Sequence, residues 1–157
     1  MRVDRPATLM LGHTTLAVRD LDAMVAFYGE VLANPRNDVF DIEGVSTVAH
    51  DHGIPLIVDN TVPTPYGIRP IEWGADIVVH SLTKFIGGHG TSIGGAIIDG
   101  GTFDFGASGR FANMTEPDPS YHGLAYWPAL GHGSYIIKAR VQLLRDIGAA
   151  ISTSPAR

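Results

Sequence analysis

The chain has 157 residues, 45% of them hydrophobic and 17% charged, with a net charge of −5; this is the composition of one globular domain able to bury a core. It has no cysteine, which excludes disulfides and thiolate metal centres, and no basic excess of the kind that marks a nucleic-acid binder. No apolar run is long enough to span a membrane and the N-terminus lacks a signal-peptide core, so the expectation is a cytoplasmic protein with neither membrane nor nucleic acid as partner.

In chain order, residues 13–18 (HTTLAV) read as a strand, broken by Arg19-Asp20. The segment LDAMVAFYGEVLA follows with Leu21, Met24, Val25, Tyr28, Val31 and Leu32 at helical spacing, and Asn34-Pro35 stops it. A second helix is expected over 41–52, with Ile42, Val45 and Ala49 on one face and Gly53 as its C-terminal stop. Pro55–Asp59, Ala75–His80 and Gly94–Asp99 are short apolar runs between breakers and read as buried strands, mostly parallel because they lack polar alternation. Residues 60–70 form a proline-rich loop, and 71–74 a short helical turn. Residues 103–133 are irregular, with Glu116–His122 as a surface loop. Ser134 is expected to cap a long helix with Ile137, Val141, Leu144 and Ile151 on one face. Strand and helix alternate over 41–99, so the fold class is α/β, a mostly parallel sheet flanked by helices.

In such sheets ligands bind outside the carboxyl ends of the strands. One strand ends in Asp59-Asn60-Thr61 and another in His80-Ser81-Leu82-Thr83-Lys84. If the strands are parallel, a carboxylate, two hydroxyls and an amine meet in one crevice. Pyridoxal phosphate (PLP) requires that set. Its aldehyde forms a Schiff base with Lys, an Asp keeps its pyridine nitrogen protonated, and Ser and Thr hydroxyls hold its phosphate. The alternative is that Asp59 is a turn residue and S-x-T-K a chance match. The glycines of Gly87–Gly90 and Gly94-Gly95 lack dinucleotide-loop spacing and read as a turn that brings backbone near a cofactor. His50-Asp51-His52 reads as an exposed helix end, because His rings at i and i+2 diverge.

The motifs VDNT, GADIVVHS-x-TK and GGHG, in this order, resemble the Cys/Met-metabolism family of PLP-dependent enzymes, and within it the O-acetylhomoserine sulfhydrylases. The resemblance runs from about residue 34 to about 152. It implies part of a large domain of the aspartate-aminotransferase type I PLP-dependent transferases, incomplete at both ends. It further implies Lys84 as the Schiff-base and proton-carrying lysine, Asp59 as partner of the pyridine nitrogen, and Ser81 and Thr83 as phosphate ligands. Asn34 would lie near the cofactor's phenolic oxygen and the substrate carboxylate. The implied reaction is replacement of the acetoxy group of O-acetylhomoserine by sulfide or a thiol. The implied assembly is a homo-oligomer, because a neighbouring subunit's Tyr and Arg reach the phosphate in the family.

Residues 11–32 (LGHTTLAVRDLDAMVAFYGEVL) resemble the opening strand and helix of the vicinal-oxygen-chelate, glyoxalase-like family, with His13 at that family's first metal-ligand position. One such unit cannot complete a metal site, so no metal is expected. The organisation expected is a βα opening (1–33), a partial PLP-binding domain (34–152) and a tail (153–157), as in a fusion or a truncated frame. Two rival readings are a non-catalytic remnant that binds PLP weakly or self-associates, and a glyoxalase-like metal protein.

Overall fold

A computed structural model describes residues 7–11, 14–18 and 41–148. Strands β1 (Ala7–Leu11) and β2 (Thr14–Val18) pair antiparallel, with Leu9 opposite Leu16. The strand expected over 13–18 is β2; β1 was not expected. His13, Asn34, the helix read at 21–32, Ile151 and the tail 153–157 all lie outside the described residues.

Helix α1 (Ile42–Asp51) begins where Asp41 caps it, its carboxylate accepting from the Gly44 N–H at 3.0 Å. It ends at Gly53, whose φ of +65° suits glycine. Ile42 and Ala49 bury against Leu56, Val58, Ala75 and Val78, with Val45 packed beside them. Each buried Ile, Leu or Val side chain here contributes about 1.5–3 kcal/mol, and each Ala less.

Strands β3 (Ile57–Asp59), β4 (Ile77–Ser81) and β5 (Gly95–Asp99) form one sheet in that order. β3 and β4 are parallel, joined through the short helix α2 (Thr64–Gly67) and a 3₁₀ turn at Pro70–Trp73. β5 is antiparallel to β4, so the sheet is mixed and not mostly parallel. The reason is the connection: residues 82–94 hold turns and no crossover helix, and without one the chain doubles back.

On the sheet face opposite α1, Ile77, Phe105 and Met114 form a second core with Ile57, Phe111, Trp127 and Tyr135. Phe105 meets Phe103 edge-on at 4.9 Å and Phe111 at 5.3 Å between centroids. Helices α3 (Ala112–Thr115), α4 (Tyr126–Leu130) and α5 (Ser134–Ala139) follow, all short. Ser134 does not cap α5. Gly133 holds that position, and Ser134 is fully buried in the first turn. Beyond α5 the helix widens to π geometry over Arg140–Arg145, which turns side chains away from 3.6-residue spacing. Leu144, within that segment, accordingly stands exposed at 51%; Ile137, before it in α5, is 37% exposed, where one shared face was expected.

The Glu116–His122 segment is more than a surface loop. Asp118 accepts from the Ser120 hydroxyl at 2.6 Å and N–H at 2.9 Å, and from Gln142 Nε2 at 2.8 Å. Lys138 lies 3.5 Å away, over the Tyr126 ring. The Ser120 hydroxyl first, then its N–H and Lys138, hold the Asp118 carboxyl down at about 2, against burial acting the other way. A carboxyl lowered by folding stabilises the fold above its ordinary value of 3.8, and that contribution fades as pH falls from there towards 2. Asp118→Asn is expected to flatten the fall of Tm over that window while changing the pH 7 profile far less in slope; thermal melts across the acid range check this.

Candidate functional site

The register of β3 against β4 builds the site. Asp59, the last residue of β3, pairs with Val79, and Ser81 lies two residues further along β4. Parallel pairing and two-residue alternation therefore put Asp59 and Ser81 at the same end of the sheet and on the same face. The ends are stitched together by buried polar residues. The Asn60 N–H donates to the Val79 carbonyl at 3.0 Å, and its side-chain amide to the Ile68 carbonyl at 2.9 Å. The Thr61 hydroxyl accepts from the Ser81 N–H at 2.8 Å. Asp59 accepts from the Thr61 N–H at 2.9 Å, which fixes one carboxylate oxygen and leaves acceptor capacity on the group.

After Ser81 the chain turns at once. The Lys84 N–H donates to the Ser81 carbonyl at 3.1 Å, and the Gly87 and Gly88 N–H groups close on Leu82 and Lys84. A Cβ at Gly87 would stand 2.6 Å from the Leu82 carbonyl oxygen, and Gly88 has φ of +84°, so this turn requires its glycines. Lys84 is exposed at the start of the turn, and no ion pair among the described residues engages it. The Ser81 hydroxyl has no hydrogen-bond partner among the described residues. The Thr83 hydroxyl does: it accepts from the Gly94 N–H at 3.0 Å and donates to the Gly94 carbonyl at 3.3 Å. His80 is buried, with Nδ1 unpartnered among the described residues.

Asp59, Ser81, Thr83 and Lys84 thus share one end of the sheet, while Asn34 falls outside the described residues. The sequence reading missed the work of Asn60 and Thr61. Their only signal was position, directly after a buried strand. It also read His50 as an exposed helix end, whereas Nε2 contacts the buried Asp76 carboxylate at 2.8 Å although the ring is 42% exposed. That pair sits before β4, at the opposite end of the strand from Lys84.

An amine, a carboxylate and a hydroxyl with no partner among the described residues thus lie at the carboxyl ends of parallel strands, a donor set that PLP can use. The chain belongs to the Cys/Met metabolism PLP-dependent enzyme family, whose model matches residues 12–156. It is similar to an O-acetyl-L-homoserine sulfhydrylase of Leptospira meyeri, 58% identical over 139 residues, covering 83% of this chain and 31% of the relative. It is also similar to a homocysteine synthase of Schizosaccharomyces pombe, 50% identical over 150 residues, covering 88% of this chain and 35% of the relative. The fold matches a solved structure carrying the name O-acetylhomoserine (thiol)-lyase from Campylobacter jejuni. The TM-score is 0.68 at 38% identity, over 78% of this chain and 31% of that one, and that crystal holds a pyridoxyl-lysine-5′-monophosphate. The chain spans about a third of the length of these relatives. The family match runs through residues 12–33, and it gives the glyoxalase-like resemblance of that segment no support.

Proposed function

We propose that this chain carries the cofactor-anchoring part of a PLP-dependent enzyme of γ-replacement, acting on O-acetylhomoserine with sulfide or a thiol. The observation that carries the reading is the parallel pairing of β3 with β4, which sets Asp59 and the Ser81–Lys84 turn side by side. The donor set fits the cofactor: among the described residues the Lys84 amine is exposed and unpaired and the Ser81 hydroxyl unengaged, and Asp59 retains acceptor capacity. PLP, when bound, supplies an electron sink that acidifies the substrate Cα–H.

Lys84 would hold the cofactor covalently through Nζ and, once released, carry protons between Cα and Cβ of the substrate. Asp59 would accept a hydrogen bond from the protonated pyridine nitrogen. Ser81 would donate to the phosphate. Thr83 would do so by giving up its 3.3 Å contact with Gly94, the weaker of its two bonds. Asn34 would face the substrate carboxylate. The overall exchange is O-acetylhomoserine plus hydrosulfide to homocysteine plus acetate. A homo-oligomer in the cytoplasm completes this reading; no described helix is long and apolar enough to cross a membrane.

The described residues supply cofactor-anchoring groups, and a second reading is a chain that binds PLP without turnover. One experiment separates them: titrate the chain with PLP, then assay homocysteine formation from O-acetylhomoserine and sulfide. Binding with turnover supports the first reading, and binding without turnover the second. Asp59→Asn is expected to weaken PLP binding about 10- to 100-fold, the loss of one charge-assisted hydrogen bond of about 1.5–3 kcal/mol. Unchanged affinity in that variant would remove Asp59 from the site.

A further inference from the structure

The last rung between β3 and β4 is made by a side chain. The Asn60 N–H donates to the Val79 carbonyl, and in regular parallel pairing the next rung would run from the Ser81 N–H to the Asn60 carbonyl. That carbonyl instead accepts from the Thr64 N–H at 3.1 Å, where the chain leaves the sheet. The Ser81 N–H donates to the Thr61 hydroxyl in its place, at 2.8 Å. Thr61 is 7% exposed, so water competes little for this bond.

Thr61 also reaches the other half of the site. Its N–H donates to Asp59 Oδ1 at 2.9 Å. Ser81 passes the constraint on, because its carbonyl accepts from the Lys84 N–H at 3.1 Å, at the start of the turn that carries the lysine. One residue thus holds Asp59 by its backbone and the Ser81–Lys84 segment by its side chain. With the Ser81 N–H committed to Thr61, the donor that Ser81 has left for an anion is its hydroxyl. Where that hydroxyl stands depends on the peptide plane that Thr61 fixes.

We propose that Thr61 is a positioning residue for phosphate recognition: by holding the Ser81 N–H, its hydroxyl aims the Ser81 hydroxyl at the phosphate and so sets a preference for PLP over unphosphorylated pyridoxal. The proposal rests on the reading of these strand ends as a PLP site. Thr61 acts through Ser81 and is not itself a cofactor ligand. Its backbone bond to Asp59 survives any substitution that keeps the N–H, so the two halves of its role separate by mutation.

Titration of the full chain with PLP and with pyridoxal, read by visible absorption and borohydride trapping, tests the proposal. Thr61→Val keeps the branching at Cβ and the N–H to Asp59 and removes the acceptor. It is expected to lower the preference for PLP over pyridoxal about 3- to 10-fold, the worth of one hydrogen bond. Thr61→Ser restores the acceptor and is expected to restore the preference. Ser81→Ala is expected to lower the preference as well, and Thr61→Val added to it to lower it no further. A generally loosened structure would weaken both ligands alike and leave the preference unchanged. If Thr61→Val does not fold by circular dichroism, Thr61→Cys, whose sulfur is a weak acceptor, decides by the same ratio. A wild-type chain that takes up no PLP overturns the reading of the site and the proposal with it. Wild-type uptake with the preference unchanged in the folded Thr61 variant, or lost equally in Thr61→Ser, overturns the proposal alone.

Discussion

Lys84→Ala is expected to abolish the visible absorption band that develops when the chain is mixed with PLP, and to abolish incorporation of cofactor after borohydride reduction. The effect is all or none, because the substitution removes the amine that forms the bond, whereas losing a hydrogen-bonding ligand lowers affinity by a finite factor. The fold should be unaffected. Lys84 is exposed, enters no ion pair among the described residues, and contributes to the turn through its backbone. An unchanged melting temperature in the variant would separate loss of chemistry from loss of structure. A band that persists in folded Lys84→Ala would transfer the role to another amine. The chain's other lysine, Lys138, is already held between Asp118 and the Tyr126 ring.

Asp76→Ala is expected to be strongly destabilising, more so than truncation of any surface polar residue. Asp76 is 2% exposed, and both its oxygens are engaged. Oδ2 accepts from the Leu56 N–H and from His50 Nε2, each at 2.8 Å, and Oδ1 accepts from the Thr102 hydroxyl at 3.3 Å. The Leu56 N–H is buried and has no route to water, so truncation leaves it orphaned, at about 1–3 kcal/mol. The lost bonds to His50 and Thr102 count for less, since both groups reach solvent. A total of about 2–4 kcal/mol is a large part of the roughly 5–15 kcal/mol that holds an ordinary domain. Asp76→Asn keeps an acceptor for Leu56 and should lose about half as much. Urea denaturation of both variants checks the order; a loss below about 1 kcal/mol for the alanine variant would contradict the account of this network.

The apolar runs and their breakers located β3, β4, β5 and α1 to within two residues, because each is short, buried and bounded by a turn former or cap such as Asp41 or Gly53. Strand direction was less legible. A fully buried strand reads the same whether its neighbour is parallel or antiparallel, and the relevant signal was the absence of helical periodicity between Leu82 and Gly94. The helix from Ser134 was misread because a serine ahead of an apolar stretch looks like a cap. Here the preceding Gly133 takes that position and Ser134 goes into the interior. The His50–Asp76 pair spans 26 residues and depends on how α1 lies against the start of β4, which no local pattern encodes. The candidate site was legible for the opposite reason: its residues sit at the ends of strands the sequence already outlined. What the sequence did not reveal was that the Thr83 hydroxyl is engaged by Gly94, a contact made only when the turn closes.

The central claim is that the carboxyl ends of β3 and β4 form a PLP site with Lys84 as its covalent anchor. The most direct test is to saturate the chain with PLP, reduce with borohydride, digest it and map the pyridoxyl phosphate by mass spectrometry. The account predicts one modified peptide, containing Lys84, with Lys138 and the N-terminal amine unmodified at matched stoichiometry. Modification spread over all three amines, or confined to Lys138, would contradict it.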